Sequence, residues 1–200
     1  LCLVSCSKVM TTEITIQTPA EGFKSLATLP RTQICARYGT TDNFTGTVLP
    51  GYAQDLWLVD EAFKALSGVV HELLDGPLGL IVWDGYRPRR ATLAMIEWAR
   101  RTDQIWLVEQ GYIARRSRHN GGAAIDLSLI HWETKKNFDM GTEWDVFEET
   151  SHVLNAQGAV LANRIQLRDL MARHGWVGYE KEWWHFELHN APSFPLRDVP

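Results

Sequence analysis

In the stretch Ser117-Arg118-His119-Asn120-Gly121-Gly122-Ala123-Ala124-Ile125-Asp126, an imidazole and a carboxylate are separated by mostly small residues. Gly121 and Gly122 permit backbone angles and close approaches that a Cβ resists, so the chain can turn tightly and carry both side chains to one point. Asp126 then opens the apolar run Leu127-Ser128-Leu129-Ile130, which reads as a buried strand. A loop that hands a carboxylate to a rigid strand builds half of a metal site. The other half is sought in Glu182-Trp183-Trp184-His185. His119, Asp126 and His185 offer two nitrogens and one oxygen, the donor set of a catalytic zinc with a fourth position left for water. Zinc brings the pKa of water from about 15.7 toward about 7. A neighbouring carboxylate can take its proton and pass it to a leaving amine. Glu182 is the candidate. Because strand side chains alternate between faces, Glu182 and His185, three apart, would point to opposite sides. Glu182 is therefore expected on the turn entering the strand, with Gly175 and Gly178 allowing an irregular entry.

Each piece taken alone has a plainer reading. His119 reads as a hydrogen-bonded histidine, Asp126 as a strand-end cap, and the Glu-Trp-Trp-His run as a sheet segment with an aromatic core face. Among the other histidines, His131 and His189 are the nearest competitors for a ligand role. Arg87, at a strand end before Pro88, could face a developing oxyanion or simply pair with Asp84. Asp145 or Asp139 could hold a substrate ammonium, or lie solvated in a loop.

The elements that must position these groups follow from periodicity. Leu56, Val59, Phe63, Leu66, Val70 and Leu73 form one apolar face of a helix from about Ala53 to Leu74, stopped by Asp75-Gly76-Pro77. Leu78–Trp83 reads as a strand, Arg90–Arg101 as a helix, and Ile125–Trp132 as the core strand. Residues 133–151 read as a loop, Gln157–His174 as a helix closed by Gly175, and Trp183–Leu188 as a final strand. Short strands are expected at Glu13–Gln17 and Ile34–Tyr38. Without a regular βαβ rhythm, the fold class is α+β, a central and mainly antiparallel sheet flanked by helices.

Two hundred residues suit one domain with a substantial core: an N-terminal extension or signal remnant over 1–25, and a single domain over 26–200. A net charge of −4 without a basic patch gives no case for nucleic acid. No apolar run is long enough to span a bilayer. The oligomeric state stays open, a homo-oligomer included. Cys2, Cys6 and Cys35 have no metal spacing and define no disulfide framework. Leu1–Cys6 reads as the tail of an export signal, and Leu3-Val4-Ser5-Cys6 resembles a lipobox in which Cys6 would carry a lipid anchor. Periplasm is the expected location, with cytoplasm as the alternative.

The motifs, in order, resemble the VanX-type D-alanyl-D-alanine dipeptidases, zinc DD-peptidases that share a fold with hedgehog signalling domains. The pieces are Tyr38 with Asp42-Asn43-Phe44-Thr45-Gly46, Trp83-Asp84-Gly85-Tyr86-Arg87-Pro88, and Ser117-x-His119-x-x-Gly122-x-Ala124-Ile125-Asp126, then Met140-Gly141-x-x-x-Asp145 and Glu182-Trp183-Trp184-His185. The resemblance implies one zinc per chain on His119, Asp126 and His185, with Glu182 as general base and acid. It implies Arg87 at the oxyanion, Asp145 with Tyr38 at the free amino end, and Ser117 lining the pocket. The implied substrate is a small D,D-dipeptide, cleaved in wall-peptide recycling, scavenging or glycopeptide resistance. Arg118, Asn120 and a short Pro88–Ser117 segment depart from the family pattern and bear on the pocket's lid. A zinc carboxypeptidase or endopeptidase of larger wall peptides, and a zinc-stabilised binding module without catalysis, are the alternatives.

Overall fold

The computed structural model describes residues 21–52, 54–189 and 195–199. Cys6 and the Glu13–Gln17 strand expectation lie outside the described residues. Eight strands and four α-helices follow in the order β1 (Phe23–Ser25), β2 (Thr32–Ile34), β3 (Trp57–Val59), α1 (Asp60–Leu73), β4 (Leu78–Asp84), α2 (Arg89–Arg101), α3 (Trp106–Glu109), β5 (Ala124–His131), β6 (Lys136–Asn137), α4 (Gly158–Arg173), β7 (Trp176–Tyr179) and β8 (Glu182–Leu188).

The main sheet runs β2-β4-β5-β8-β7, with β6 paired to β5; only β2 and β4 are parallel. The expected α+β class with a mainly antiparallel sheet therefore holds. β4 and β5 are continuous apolar runs because they sit in the middle of the sheet, buried along nearly their whole length. β4 carries a bulge between Val82 and Asp84, after which Asp84 pairs with Asp126; on the other side Asp126 pairs with His185 of β8. Three polar residues thus stand in one row across β4, β5 and β8.

Several elements differ from the sequence reading. The first helix begins at Asp60 rather than near Ala53, because Trp57–Val59 forms a strand with Phe23–Ser25 instead. That strand places Phe23–Ser25, read above as part of the 1–25 extension, within the folded body. Its purpose is visible in the contacts: Val59 N–H donates to the Gly122 carbonyl (3.0 Å), Tyr86 N–H donates to the Trp57 carbonyl (2.7 Å), and a Cβ on Gly122, at φ +72°, would meet Phe23 at 2.5 Å. The small sheet clamps the glycine turn. Ile34–Tyr38 divides into β2 and a 3₁₀ turn over Arg37–Gly39. The short helix α3 begins after Ile105, and β7 occupies Trp176–Tyr179, where only an irregular entry to the last strand was expected. Gly178 in β7 lies against the Phe186 ring, which supplies the packing that its own missing side chain does not. Among the described residues no helix is long and apolar enough to cross a membrane.

The 139–153 loop is tied down from beneath by Arg164 of α4, which is 2% exposed. Its guanidinium donates to the carbonyls of Met140 (2.5 and 2.8 Å), His152 (2.7 Å) and Thr150 (2.9 Å). A hydrogen bond from a charged donor contributes about 1.5–3 kcal/mol, and carbonyls stripped of their donor in the interior cost more. Arg164→Met should therefore destabilise the protein by about 3 kcal/mol or more in denaturant unfolding; a loss below about 1 kcal/mol would show that the loop holds itself.

Candidate metal and catalytic site

The row on the sheet supplies two of the three converging side chains, and the turn over Arg118–Gly121 supplies the third. Ser117 begins that turn by accepting from the His119 N–H (3.2 Å), and Gly122, left-handed at φ +72°, ends it. The turn is fixed to β4's end: Arg87 N–H donates to the His119 carbonyl (3.0 Å), and Asn120 Nδ2 donates to the Arg87 carbonyl (2.8 Å). The Arg118 and Asn120 departures noted in the sequence thus have different fates, with Asn120 buried as a brace and Arg118 half-buried beside Glu187.

His119 Nδ1 lies 2.7 Å from the Gly85 carbonyl. It can only donate to that oxygen, so Nε2 keeps its lone pair and faces the site. From there Nε2 is 3.2 Å from His185 Nδ1 and 3.4 Å from Asp126 Oδ1, while His185 Nδ1 is 3.0 Å from Asp126 Oδ1. Ligand atoms at zinc distances of about 2.0–2.1 Å in a tetrahedron stand about 3.3 Å apart. The three atoms already have that spacing. Among the described residues, His119, Asp126 and His185 form the one group of ligating side chains whose donor atoms lie within 4.8 Å of one another. The electrostatics agree. Burial opposes charge on His185, yet its hydrogen bonds to Asp126 and Glu187 outweigh this and push its pKa up to about 10. Burial would raise Asp126, but His119 and His185 hold it well below the usual carboxylate range. Two imidazoles gathered on one buried carboxylate are a donor set that a divalent cation fits.

Both histidines and Asp126 line a cavity of about 250 Å³, at the small end for ligand pockets. Tyr38, Arg87, Ser117, Asp145 and Glu182 line it too, so every site residue expected from the sequence reaches one space. His131 lies exposed at the far end of β5, and His189 is exposed after β8; neither approaches the site. Glu182 is the first residue of β8, after a tight turn and a register shift between Gly178 and Tyr179. That irregularity lets Glu182 and His185 share the cavity. Burial pushes the Glu182 carboxyl up to about 8, opposed by His185 and reinforced by Asp126. Tyr38 Oη donates to Asp145 Oδ2 (2.7 Å), and burial holds Asp145 well above its ordinary range, reinforced by Asp126 and opposed by that bond. Asp139 is elsewhere. Its Oδ1 accepts from Gly141 N–H, outside this cavity.

Arg87 pairs with Asp84, one of its two sequence readings, without leaving the cavity. It faces the cavity and also donates from Nε (2.9 Å) and Nη2 (2.5 Å) to Asp84 Oδ2. Asp84 is fully buried, accepts from Tyr52 Oη on its other oxygen, and lies 3.4 Å from His119 Nδ1. One carboxylate therefore orients the guanidinium and lies beside the imidazole that the Gly85 carbonyl orients. The sequence reading assigned Asp84 no such role, although its spacing from Arg87 was the available signal. Glu187, two residues beyond His185 on the same face of β8, likewise meets His185 Nε2 (3.4 Å).

The peptidase M15 family profile, described as D-ala-D-ala dipeptidase, matches residues 20–198. The chain is 35% identical over 173 residues to a D-alanyl-D-alanine dipeptidase of Streptomyces coelicolor, covering 78% of this chain and 86% of the relative. It is 33% identical over 186 residues to one of Enterococcus faecium, covering 81% and 91%. It is 36% identical over 169 residues to one of Escherichia coli, covering 84% of each. Among solved structures it is similar in fold to the LdcB LD-carboxypeptidase, with a TM-score of 0.53 at 14% identity, covering 86% of this chain and 70% of that one.

Removing the charge of a buried ion-pair partner costs about 3–5 kcal/mol. Asp84→Asn should lower stability by that order in denaturant unfolding and lower turnover at least about tenfold, with metal still bound. Full activity in this variant would mean that Arg87 needs no such anchor.

Proposed function

The chain belongs to the D-Ala-D-Ala dipeptidase family of M15 peptidases, and from that membership we propose how its cavity residues divide the hydrolysis of D-Ala-D-Ala into two D-alanines. The observation that carries the reading is the convergence of His119 Nε2, Asp126 Oδ1 and His185 Nδ1 in a small cavity that Glu182, Arg87 and Asp145 also line. His119, Asp126 and His185 would hold one zinc ion, the metal best matched to two imidazoles and a carboxylate. Zinc, when bound, supplies a Lewis acid that polarises the scissile carbonyl and acidifies water.

The remaining roles fall to the chain itself. Glu182 takes the proton of the attacking water and returns it to the leaving amine, and a pKa raised toward neutrality suits a group that must do both. Arg87, held by Asp84, directs its guanidinium at the carbonyl oxygen as negative charge develops there. Asp145, with the Tyr38 hydroxyl on one oxygen, receives the substrate's ammonium on the other. Ser117 lines the pocket. The small volume and the Tyr38–Asp145 bond favour a free dipeptide over longer wall peptides. A binding module without catalysis would need neither Glu182 nor Arg87 in the cavity.

The test is to give the purified protein D-Ala-D-Ala, N-acetyl-D-Ala-D-Ala, L-Ala-L-Ala and a wall pentapeptide, with and without chelator, and to measure released alanine. Free D-Ala-D-Ala alone should be cleaved efficiently, and chelator should abolish it. Equal cleavage of the acetylated dipeptide would remove Asp145 from its role, and activity that survives loss of metal would remove the zinc. Separately, Glu182→Gln should keep its metal by elemental analysis yet lose at least about a hundredfold in kcat, the usual worth of a positioned acid–base group; near-normal kcat would reassign the proton transfer.

A further inference from the structure

Of the stretch Asp139–Asp145, Asp145 faces the metal cavity, while residues 139–144 border a second cavity of about 350 Å³. Trp83, Trp144 and Trp183 wall it, Ser128 lies at its buried end, and the exposed Asp139 and Glu143 stand at its mouth. Trp144 borders the second cavity, and its Nε1 reaches Oδ2 of Asp126, which lines the first, at 3.4 Å.

Ser128 follows Asp126 by two positions on β5, so it faces the same side of the sheet. It is 1% exposed, and its Oγ has no hydrogen-bond partner among the described residues. An unpaired buried hydroxyl is unfavourable, which makes it a point of polarity kept for something that enters. The charge of the lining sets what that is. No Lys, Arg or His borders this cavity, and two carboxylates do, so an anion is repelled and a cation attracted. The walls set its shape. Trp83 and Trp144 lie nearly parallel (18°, centroids 5.8 Å apart), Trp83 meets Trp183 edge-on (79°, 6.1 Å), and all three are at least nine-tenths buried. They offer no broad exposed face on which a sugar ring could stack, but they do offer apolar edges to a slim chain.

We propose that this cleft is a second ligand site for a slim alkylammonium compound that carries an uncharged hydrogen-bonding group at its far end. The ammonium lies between Asp139 and Glu143, the stem runs along the three indoles, and the far group pairs with the Ser128 hydroxyl.

The test uses the zinc-loaded full chain and 5-amino-1-pentanol, with binding read by calorimetry and by the indole N–H resonances of the three tryptophans. Saturable binding that moves Trp83, Trp144 and Trp183 is expected, with 1,5-pentanediol and 5-aminopentanoate each at least tenfold weaker. Asp139→Asn with Glu143→Gln should weaken the amino alcohol at least tenfold. Ser128→Ala should weaken it several-fold while leaving n-pentylamine unchanged. Equal binding of the diol, indifference to these variants, or displacement of the probe by D-Ala-D-Ala would each overturn the proposal. The readout is binding, so its failure leaves the dipeptidase reading standing, and an inactive enzyme that still binds the probe would separate the two in the other direction.

Discussion

The register that puts Asp84, Asp126 and His185 side by side across three adjacent strands is the constraint on which the site depends. Side chains on neighbouring strands at one level stand about 5 Å apart, near enough to share a cation or a proton without any loop having to reach. Because the side-chain period is two, a slip of one residue between β5 and β8 would turn His185 away from Asp126 altogether. The continuous apolar runs of β4 and β5 set that register, since both strands are buried on both faces and have no alternative level that buries as much. The bulge at Val82/Asp84 then makes the single local adjustment that brings Asp84 level with Asp126.

Against this rigid row stands a turn, and the turn is made rigid by what surrounds it. His119 gains its position through five backbone or side-chain bonds contributed by Gly85, Arg87, Ser117, Asn120 and the strand ending at Val59. The Gly85 carbonyl settles which imidazole nitrogen carries the proton, a choice on which ligation depends. Four carboxyl groups, Asp84, Asp126, Asp145 and Glu182, meet in one neighbourhood, where the histidines hold Asp126 below the usual carboxylate range while burial holds Asp145 and Glu182 above it. Arg87 answers Asp84, and the two imidazoles flank Asp126.

How much of this was legible beforehand varies with the length scale of the cause. His119, Asp126, Glu182 and His185 could be picked out because small-residue runs and apolar strands are local signals. The irregular entry that lets Glu182 join His185 was inferable from Gly175 and Gly178, although those glycines also concealed β7, whose strand character comes from Trp176 and from packing on Phe186. Trp57–Val59 fitted the apolar period of α1 and was absorbed into it, because only its distant partner Phe23–Ser25 reveals it as a strand. Asp84 and Arg164 were legible as charged residues but not as organisers. Their partners lie on other elements: Tyr52 and His119 for Asp84, the carbonyls of a loop more than ten residues away for Arg164.

The loop from Asp139 to Asp145 shows what such long-range supports hold in place. Asp145 sits in the left-handed region at φ +64°, which aspartate adopts more readily than most residues, and it has support from outside the loop. That support comes from Tyr38 on its carboxylate and from Arg164 beneath the same loop at Met140. The backbone reversal at Asp145 turns its carboxylate into the metal cavity while Trp144, one residue earlier, faces Asp126 on one side and the second cavity on the other. One loop thus sets a carboxylate in the metal cavity and, one residue earlier, an indole against the second space, so the supports at Tyr38 and Arg164 position both at once.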